Sequence, residues 1–278
     1  MQLVLKFQTA QNALNCWMSS NRLLLNQSKS QLIWLGTRGL LQKIDFQLLS
    51  TSFPFINFLS QVSDLGVIID SQLTFRPYLS SLSRSCFYQL RQLRTLRRSL
   101  STSAAATLVR SFVCSRVDYC SSLLVGLPAA TTSCVQSILR AAARLVAGTS
   151  RYSAISSYMQ NELHWLPLHS RVEYRVLRFV ASCLNGLAPA YLTELCVLMS
   201  THASCARLRS SSHYALVVPR SRTTLFQKRS FASAGPLLWN RVDHSVCHLV
   251  FTDSMPTFLA HLKTYFFRLS TKPSSQRC

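Results

Sequence analysis

The chain has 278 residues, a length typical of one or two domains, and 48% of them are hydrophobic, which argues against a largely disordered chain. It carries 30 basic residues, 24 of them Arg and 6 Lys, against 9 acidic ones, for a net charge of +21. An enzyme acting on a small neutral substrate has no need of this excess, which favours a polyanionic partner. Because guanidinium groups bind phosphate through paired hydrogen bonds, the arginine bias favours nucleic acid over an anionic membrane.

Acidic and cysteine residues restrict the chemistry further. The two closest carboxylates, Asp64 and Asp70, are six positions apart, so no local cluster offers ligands for two-metal phosphoryl transfer. Ten cysteines without a C-x-x-C pair indicate reduced thiols rather than a disulfide framework. The N-terminus lacks the pattern of a signal peptide, and no uncharged run is typical of a membrane span. We therefore expect a nuclear or cytoplasmic protein that is not secreted, with no membrane and no small-molecule substrate as partner.

In chain order, the first quarter is nearly neutral and mixed in secondary structure. Hydrophobic spacing predicts a helix over residues 3–20 and short strands over 30–36 and 63–70. Residues 37–60 are ambiguous. The net charge of residues 1–75 is +2, whereas residues 76–150 carry +9 and the remainder +10.

Hydrophobic spacing in the second quarter of the sequence predicts three helices joined by short turns. The first, over residues 77–99, repeats apolar residues every three or four positions: Leu79, Leu82, Cys86, Leu90, Leu93 and Leu96. Arg84, Arg91, Arg94 and Arg98 fall on the opposite face, and no acidic residue lies between Asp70 and Asp118. Helices over 102–122, capped by Ser101 or Thr102, and over 132–147, ending at Gly148, complete a bundle.

The last half predicts further helices over residues 152–163, 171–185, 231–241 and 256–269. Residues 200–213 are expected to form a loop, and residues 216–218 a short strand. The whole pattern predicts a mainly α protein with a small β component (α+β), in three segments: 1–75, 76–150 and 151–278.

Eight short segments, in their order and spacing, resemble one family. They are WMSSNRLLLN at 17–26 with Lys29, LGVIID at 65–70 with Leu73 and Phe75, SRVDYC at 115–120, AAARLV at 141–146, LHWLP at 163–167 with Arg171 and Tyr174, NGLAPAYL at 185–192, VPR at 218–220, and AGP at 234–236 with Trp239 and Asn240. Together they resemble the C-terminal part of the reverse transcriptase of LINE-type non-LTR retrotransposons, nearest the CR1/L2 group.

The resemblance implies a partial palm in residues 1–75, a three-helix thumb-like bundle in 76–150 and a helical, basic C-terminal region in 151–278. The family's catalytic aspartates belong to motifs upstream of the helix in which this chain starts. We therefore expect no catalytic residue, no metal ligand and no cofactor here, with Mg²⁺ required only by the full-length polymerase.

The same resemblance suggests roles for individual residues. Lys29 resembles a lysine near the incoming triphosphate, and Leu65, Gly66 and Val67 resemble the hairpin that grips the primer. The thumb holds the template–primer duplex by its backbone, which agrees with the arginine face. The predicted nucleic-acid-binding residues are Arg84, Arg91, Arg94, Arg97 and Arg98, and the predicted partner is RNA or an RNA–DNA duplex, bound with low specificity.

Other chemistry is less favoured by the sequence. A zinc site at His244, Cys247 and His248, with His261 or Cys278, lacks a recognised spacing, and no nucleophile elbow supports a Ser–His–Asp site. Asp118 is expected to hold a nearby arginine within the bundle. Trp165 and Trp239 are expected in the core rather than stacked on bases.

Three interpretations of the whole chain remain open. The first is a non-catalytic remnant of an RNA-directed DNA polymerase that keeps its duplex affinity. The second is a translated genomic remnant with no selected function, in which the basic charge is inherited or reflects Arg-rich codon usage. The third is a domesticated nucleic-acid-binding scaffold.

Overall fold

The computed structural model describes residues 2–26, 31–44, 57–201, 214–220 and 227–271. The fold is mainly α with a small β component, as the sequence predicts. Its contacts divide the chain into two compact units, Met1–Pro77 and Tyr78–Cys278. Across the described ranges, no helix combines the length and the apolar character needed to cross a bilayer.

The first unit contains short strands in two small sheets. Its elements are α1 (Gln2–Ser20), β1 (Gln31–Ile33), α2 (Arg38–Leu41), β2 (Asn57–Leu59), β3 (Gln61–Asp64) and β4 (Val67–Asp70). β1 pairs in parallel with β2, and β3 pairs antiparallel with β4. The predicted helix over 3–20 and a strand within 30–36 are confirmed.

A tight turn divides the segment that the sequence predicted as one strand over 63–70. Asp64 is paired with Val67, so Leu65 and Gly66 form a two-residue hairpin loop. Their φ angles are 45° and 82°, the left-handed values that a type I′ turn requires at both central positions. The β-branched run is therefore only the second strand of a hairpin.

The second unit is helical. Its helices are α3 (Arg76–Leu96), α4 (Thr102–Val109), α5 (Ser115–Asp118), α6 (Ala129–Ala147), α7 (Ser156–Asn161), α8 (Leu168–Leu184), α9 (Ala190–Thr193), α10 (Phe231–Trp239), α11 (His244–Thr252) and α12 (Met255–Thr271). The termini of α4 and α6 follow local signals, since Ser101 Oγ accepts a hydrogen bond from Ala104 N–H (3.2 Å) and Gly148 adopts φ 69°.

The predicted helix over 102–122 is wrong in its interior and at its end. A π-helical turn, Arg110–Cys114, separates α4 from α5, and α5 ends at Asp118. Cys120 then takes a left-handed φ of 49° before a short 3₁₀ turn. Apolar spacing alone does not distinguish a π turn from an α turn.

The core of the C-terminal helices forms where α8, α10 and α12 meet. Val180 of α8, Trp239 of α10 and Phe258 of α12 are all buried in one cluster. α10 lies close to α8 because Gly235 has no side chain: a Cβ there would come within 3.0 Å of Val180 Cγ2. Trp239 and Phe258 are large side chains whose burial contributes to the hydrophobic stabilisation of this region.

Three other predictions need correction. α7 is shorter than the helix predicted over 152–163, and α11 was not predicted at all. The strand predicted over 216–218 is a single bridge between Leu216 and Leu198. The Asn240 side chain takes the place of a second strand there, accepting from Leu216 N–H (2.8 Å) and donating to its carbonyl (2.9 Å). Most of the predicted loop over 200–213 lies outside the described residues.

Candidate nucleic-acid interface

α3 has one buried face and one cationic face. The buried face consists of Tyr78, Leu79, Leu82, Cys86, Leu90 and Leu93, close to the predicted apolar series. Leu96 is the exception, since it is 55% exposed at the end of the helix. Its expected place in the core is therefore wrong.

The opposite face carries exposed arginines. Arg84, Arg91 and Arg94 are exposed along α3, and Arg98 is exposed in the 3₁₀ turn that follows. We call these four residues the arginine stripe. At 100° per residue, Arg84, Arg91 and Arg94 fall within about 80° of one another around α3, because α-helical residues advance 3.6 per turn. The stripe can therefore contact one continuous anionic surface.

Two aromatic side chains interrupt this cationic face. Phe87 is 39% exposed and Tyr88 57% exposed. Neither residue was predicted from the sequence as part of the site, although their spacing from Arg84 and Arg91 places them beside the stripe. Aromatic rings among cations are typical of nucleic-acid-binding surfaces, where they pack on sugars and bases.

Arg97 does not belong to the stripe, although the sequence analysis grouped it with the phosphate-binding residues. Its guanidinium donates hydrogen bonds to the carbonyls of Leu145 (2.8 Å), Val146 (3.0 Å) and Leu100 (2.9 Å). The first two belong to the last turn of α6, where carbonyls lack the usual i+4 partner; the Leu145 carbonyl also accepts from the N–H of Gly148 (3.3 Å). Arg97 thus caps α6 and joins it to α3.

The primer-grip-like residues occupy the hairpin of the first unit. Leu65 is 83% exposed at the turn, Gly66 follows it, and Val67 is buried. Asp70, at the end of this hairpin, accepts hydrogen bonds from the backbone N–H groups of Thr74 (3.0 Å) and Phe75 (2.8 Å). Its carboxylate therefore stabilises the turn before α3. Lys29 lies outside the described residues.

Asp118 binds two arginines of α8, which confirms the prediction that it has an arginine partner. Its Oδ1 is 3.0 Å from Arg171 Nη1, and its Oδ2 is 2.9 Å from Arg175 Nη2. The arginines come from beyond residue 150 rather than from the predicted bundle. This cluster was not predicted, although the i, i+4, i+7 spacing of Arg171, Arg175 and Arg178 indicates one helix face.

The remaining candidates are structural. Trp165 and Trp239 are 4% and 1% exposed, which confirms their predicted place in the core. Cys247 is buried, and burial raises the pKa of its thiol to about 12. Its Sγ lies 3.8 Å from the Trp239 carbonyl. Over the ranges that the structure describes, no three His, Cys, Asp or Glu side chains are grouped as metal ligands.

Comparison of the chain with protein-family models, with curated proteins and with solved structures finds no match. The likeness to LINE-type reverse transcriptases therefore depends on the eight sequence segments alone. The arginine stripe, in contrast, is a feature of the fold itself.

Proposed function

We propose that this chain binds the sugar–phosphate backbone of an RNA or RNA–DNA duplex through the arginine stripe, with low sequence specificity. The observation that carries the proposal is the exposure of Arg84, Arg91 and Arg94 on one face of α3 and of Arg98 in the turn that follows, with no carboxylate in the chain between Asp70 and Asp118. An ordinary solvated face mixes charges of both signs, whereas a phosphate-binding face does not.

The dimensions of the stripe suit a nucleic-acid backbone. Arg84 and Arg94 are ten residues apart, which corresponds to about 15 Å along a helix at about 1.5 Å per residue. Phosphates of one strand follow each other at about 3.4 Å along a duplex axis, so this length covers about four of them. Contacts of this kind fix position and carry no sequence information, which explains the expected low specificity.

The sequence resemblance to LINE-type reverse transcriptases supports the same proposal independently of the surface charge. The helices α3, α4 and α6 correspond to the segment in which the family has its duplex-holding thumb. We propose that the chain is a non-catalytic remnant of such a polymerase. Three of the described aspartates are engaged in the fold: Asp70 holds a turn, Asp118 binds two arginines, and Asp243 accepts from Ser245 at the start of α11.

The test is duplex binding as a function of salt, with matched arginine variants. The stripe variant replaces Arg84, Arg91 and Arg94 with Gln. The control replaces three exposed arginines elsewhere, Arg140, Arg151 and Arg220, and so removes the same net charge.

Each lost phosphate contact lowers the slope of log K against log salt by about 0.9, so we expect the stripe variant to lose about 2.7 from the slope. The control should keep the slope of the unmodified chain. Equal decreases of the salt slope in the two variants would contradict the proposal and would indicate non-specific binding through total charge. Salt-resistant, sequence-selective RNA capture would favour the domesticated scaffold instead.

The non-catalytic part of the proposal has a separate test. A primer-extension assay with Mg²⁺ or Mn²⁺ should give no product from this chain alone. Clear template-dependent extension would refute it.

A further inference from the structure

A cleft among the C-terminal helices concentrates positive charge. It has a volume of about 550 Å³, within the range of small-ligand sites. The charged side chains that line it come from the π-helical turn, α5, α8 and α12, and they are Arg110, Asp118, Arg171, Arg175, Arg178 and Lys263. None of them belongs to the arginine stripe.

The charges of this cleft do not balance. Five permanent cations face one carboxylate, which leaves a net charge of +4. Asp118 is already shared between Arg171 and Arg175. Arg110, Arg178 and Lys263 are exposed at the cleft, and the ion pairs among the described residues involve none of the three. Crowding like charges in a concave surface is unfavourable unless an anion neutralises them.

The size and the walls of the cleft indicate what kind of anion fits. A sphere of this volume has a diameter of about 10 Å. The major groove of a duplex alone is about 12 Å wide, and the whole duplex is wider still, so a double helix cannot enter the cleft. A single phosphate-bearing nucleotide can. Tyr174 and His164 add aromatic surface beside the cations, whereas Trp165 at the wall is buried in the core. His164 also holds a left-handed φ of 51°, a conformation often kept at binding sites.

We propose that this cleft binds a nucleotide by its terminal phosphate. Guanidinium groups of Arg110 and Arg178 and the ammonium of Lys263 contact the phosphate oxygens, because planar guanidinium matches phosphate with two parallel hydrogen bonds. Asp118 keeps Arg171 and Arg175 in place behind them. The ligand is either a free nucleotide or the 5′-terminal phosphate of a single strand, since both present the same chemistry. This goes beyond the proposed duplex binding and does not depend on it.

The experiment is calorimetric titration of the full chain with ADP, repeated with inorganic pyrophosphate and with sulfate at the same ionic strength. The test variant replaces Arg110 and Arg178 with Gln. The control replaces Arg84 and Arg91 with Gln, which removes the same charge from the stripe. We expect ADP affinity to fall about tenfold for each guanidinium removed from the cleft and to stay within about twofold in the control.

Two further arms separate the sources of the phosphate. A short single strand with a 5′-phosphate is compared with the same strand ending in a 5′-hydroxyl. Preference for the phosphorylated strand identifies a strand end as ligand, whereas ADP binding without that preference identifies a free nucleotide. If the double variant melts earlier than the control, Lys263→Gln alone replaces it.

Three results would overturn the proposal. The first is no ADP binding at about 1 mM ligand, the weak end of measurable affinity. The second is an equal loss in the cleft and stripe variants. The third is sulfate bound as tightly as ADP and pyrophosphate. Loss of duplex binding in the stripe variant, with ADP binding retained, would confirm that the two sites are separate.

Discussion

Replacing Asp118 with Asn should destabilise the C-terminal unit by about 2 kcal/mol. The carboxylate makes ion pairs of 3.0 and 2.9 Å with Arg171 and Arg175, and the side chains of Asp118 and Arg171 are only 24% and 14% exposed. Exposed pairs contribute about 0–1 kcal/mol, whereas breaking a buried pair costs about 3–5 kcal/mol. Arg175 is 35% exposed, so solvent screens its share and the expected loss lies between these limits.

The assay is thermal and urea unfolding of the full chain. For a domain of roughly 200 residues, a loss of about 2 kcal/mol lowers Tm by about 4–8 °C. Asp253→Asn is the matched control, because it removes the same charge from an exposed position, and it should stay within about 0.5 kcal/mol of the unmodified chain. In a double-mutant cycle, Asp118→Asn with Arg171→Gln should cost less than the sum of the single changes. A loss equal to that of Asp253→Asn would refute the reasoning.

Three further outcomes follow from the environment of single side chains. Arg97→Gln should cost about 1–3 kcal/mol in urea unfolding because it removes the cap of α6, whereas exposed Arg98→Gln should change stability by less than about 0.5 kcal/mol. Brief alkylation read by peptide mass spectrometry should label exposed Cys16 and spare buried Cys86 and Cys247; rapid labelling of the buried pair would contradict the packing. Burial raises the pKa of Cys86 from 9.0 to about 11 and that of Cys247 to about 12. Above pH 9 the folded chain therefore keeps thiol protons that the unfolded chain releases. The contribution of these thiols to stability should be complete below pH 9 and decline as the pH rises toward about 12, by up to about 1.4 kcal/mol per pH unit for each thiol. Denaturant midpoints that stay constant from pH 8 to 11 would contradict this expectation.

Local periodicity predicted the parts of the fold that depend on neighbouring residues. The buried face of α3 and the end of α6 at Gly148 agree with the sequence because helix spacing and a left-handed glycine act within one or two turns. The same reasoning wrongly placed Leu96 in the core. Whether the last turn of α3 is covered depends on residues distant in the chain, which helix spacing does not reveal.

Arg97 shows why the candidate site was only partly predictable. Its neighbours Arg94 and Arg98 face solvent, and nothing in the local sequence distinguishes it from them. Its acceptors, the carbonyls of Leu145 and Val146, are 48 and 49 positions away. The cationic cleft was missed for the same reason, because α5, α8 and α12 come together only in the folded chain.

The π-helical turn Arg110–Cys114 determines which way the end of the 102–118 segment faces. A turn closed by i→i+5 bonds holds one residue more than an α-helical turn, so it offsets all later positions by about 100° around the axis. Asp118 comes just four residues after this turn and meets α8 in that offset orientation. Deleting a single residue within the turn would restore a regular helix and leave the carboxylate on the same side, because the deletion and the loss of the offset cancel. An α-helical turn of unchanged length would instead carry the carboxylate about 100° around the axis. A lineage could therefore lose this extra residue and keep both ion pairs, whereas straightening the turn at unchanged length would require new partners for Arg171 and Arg175.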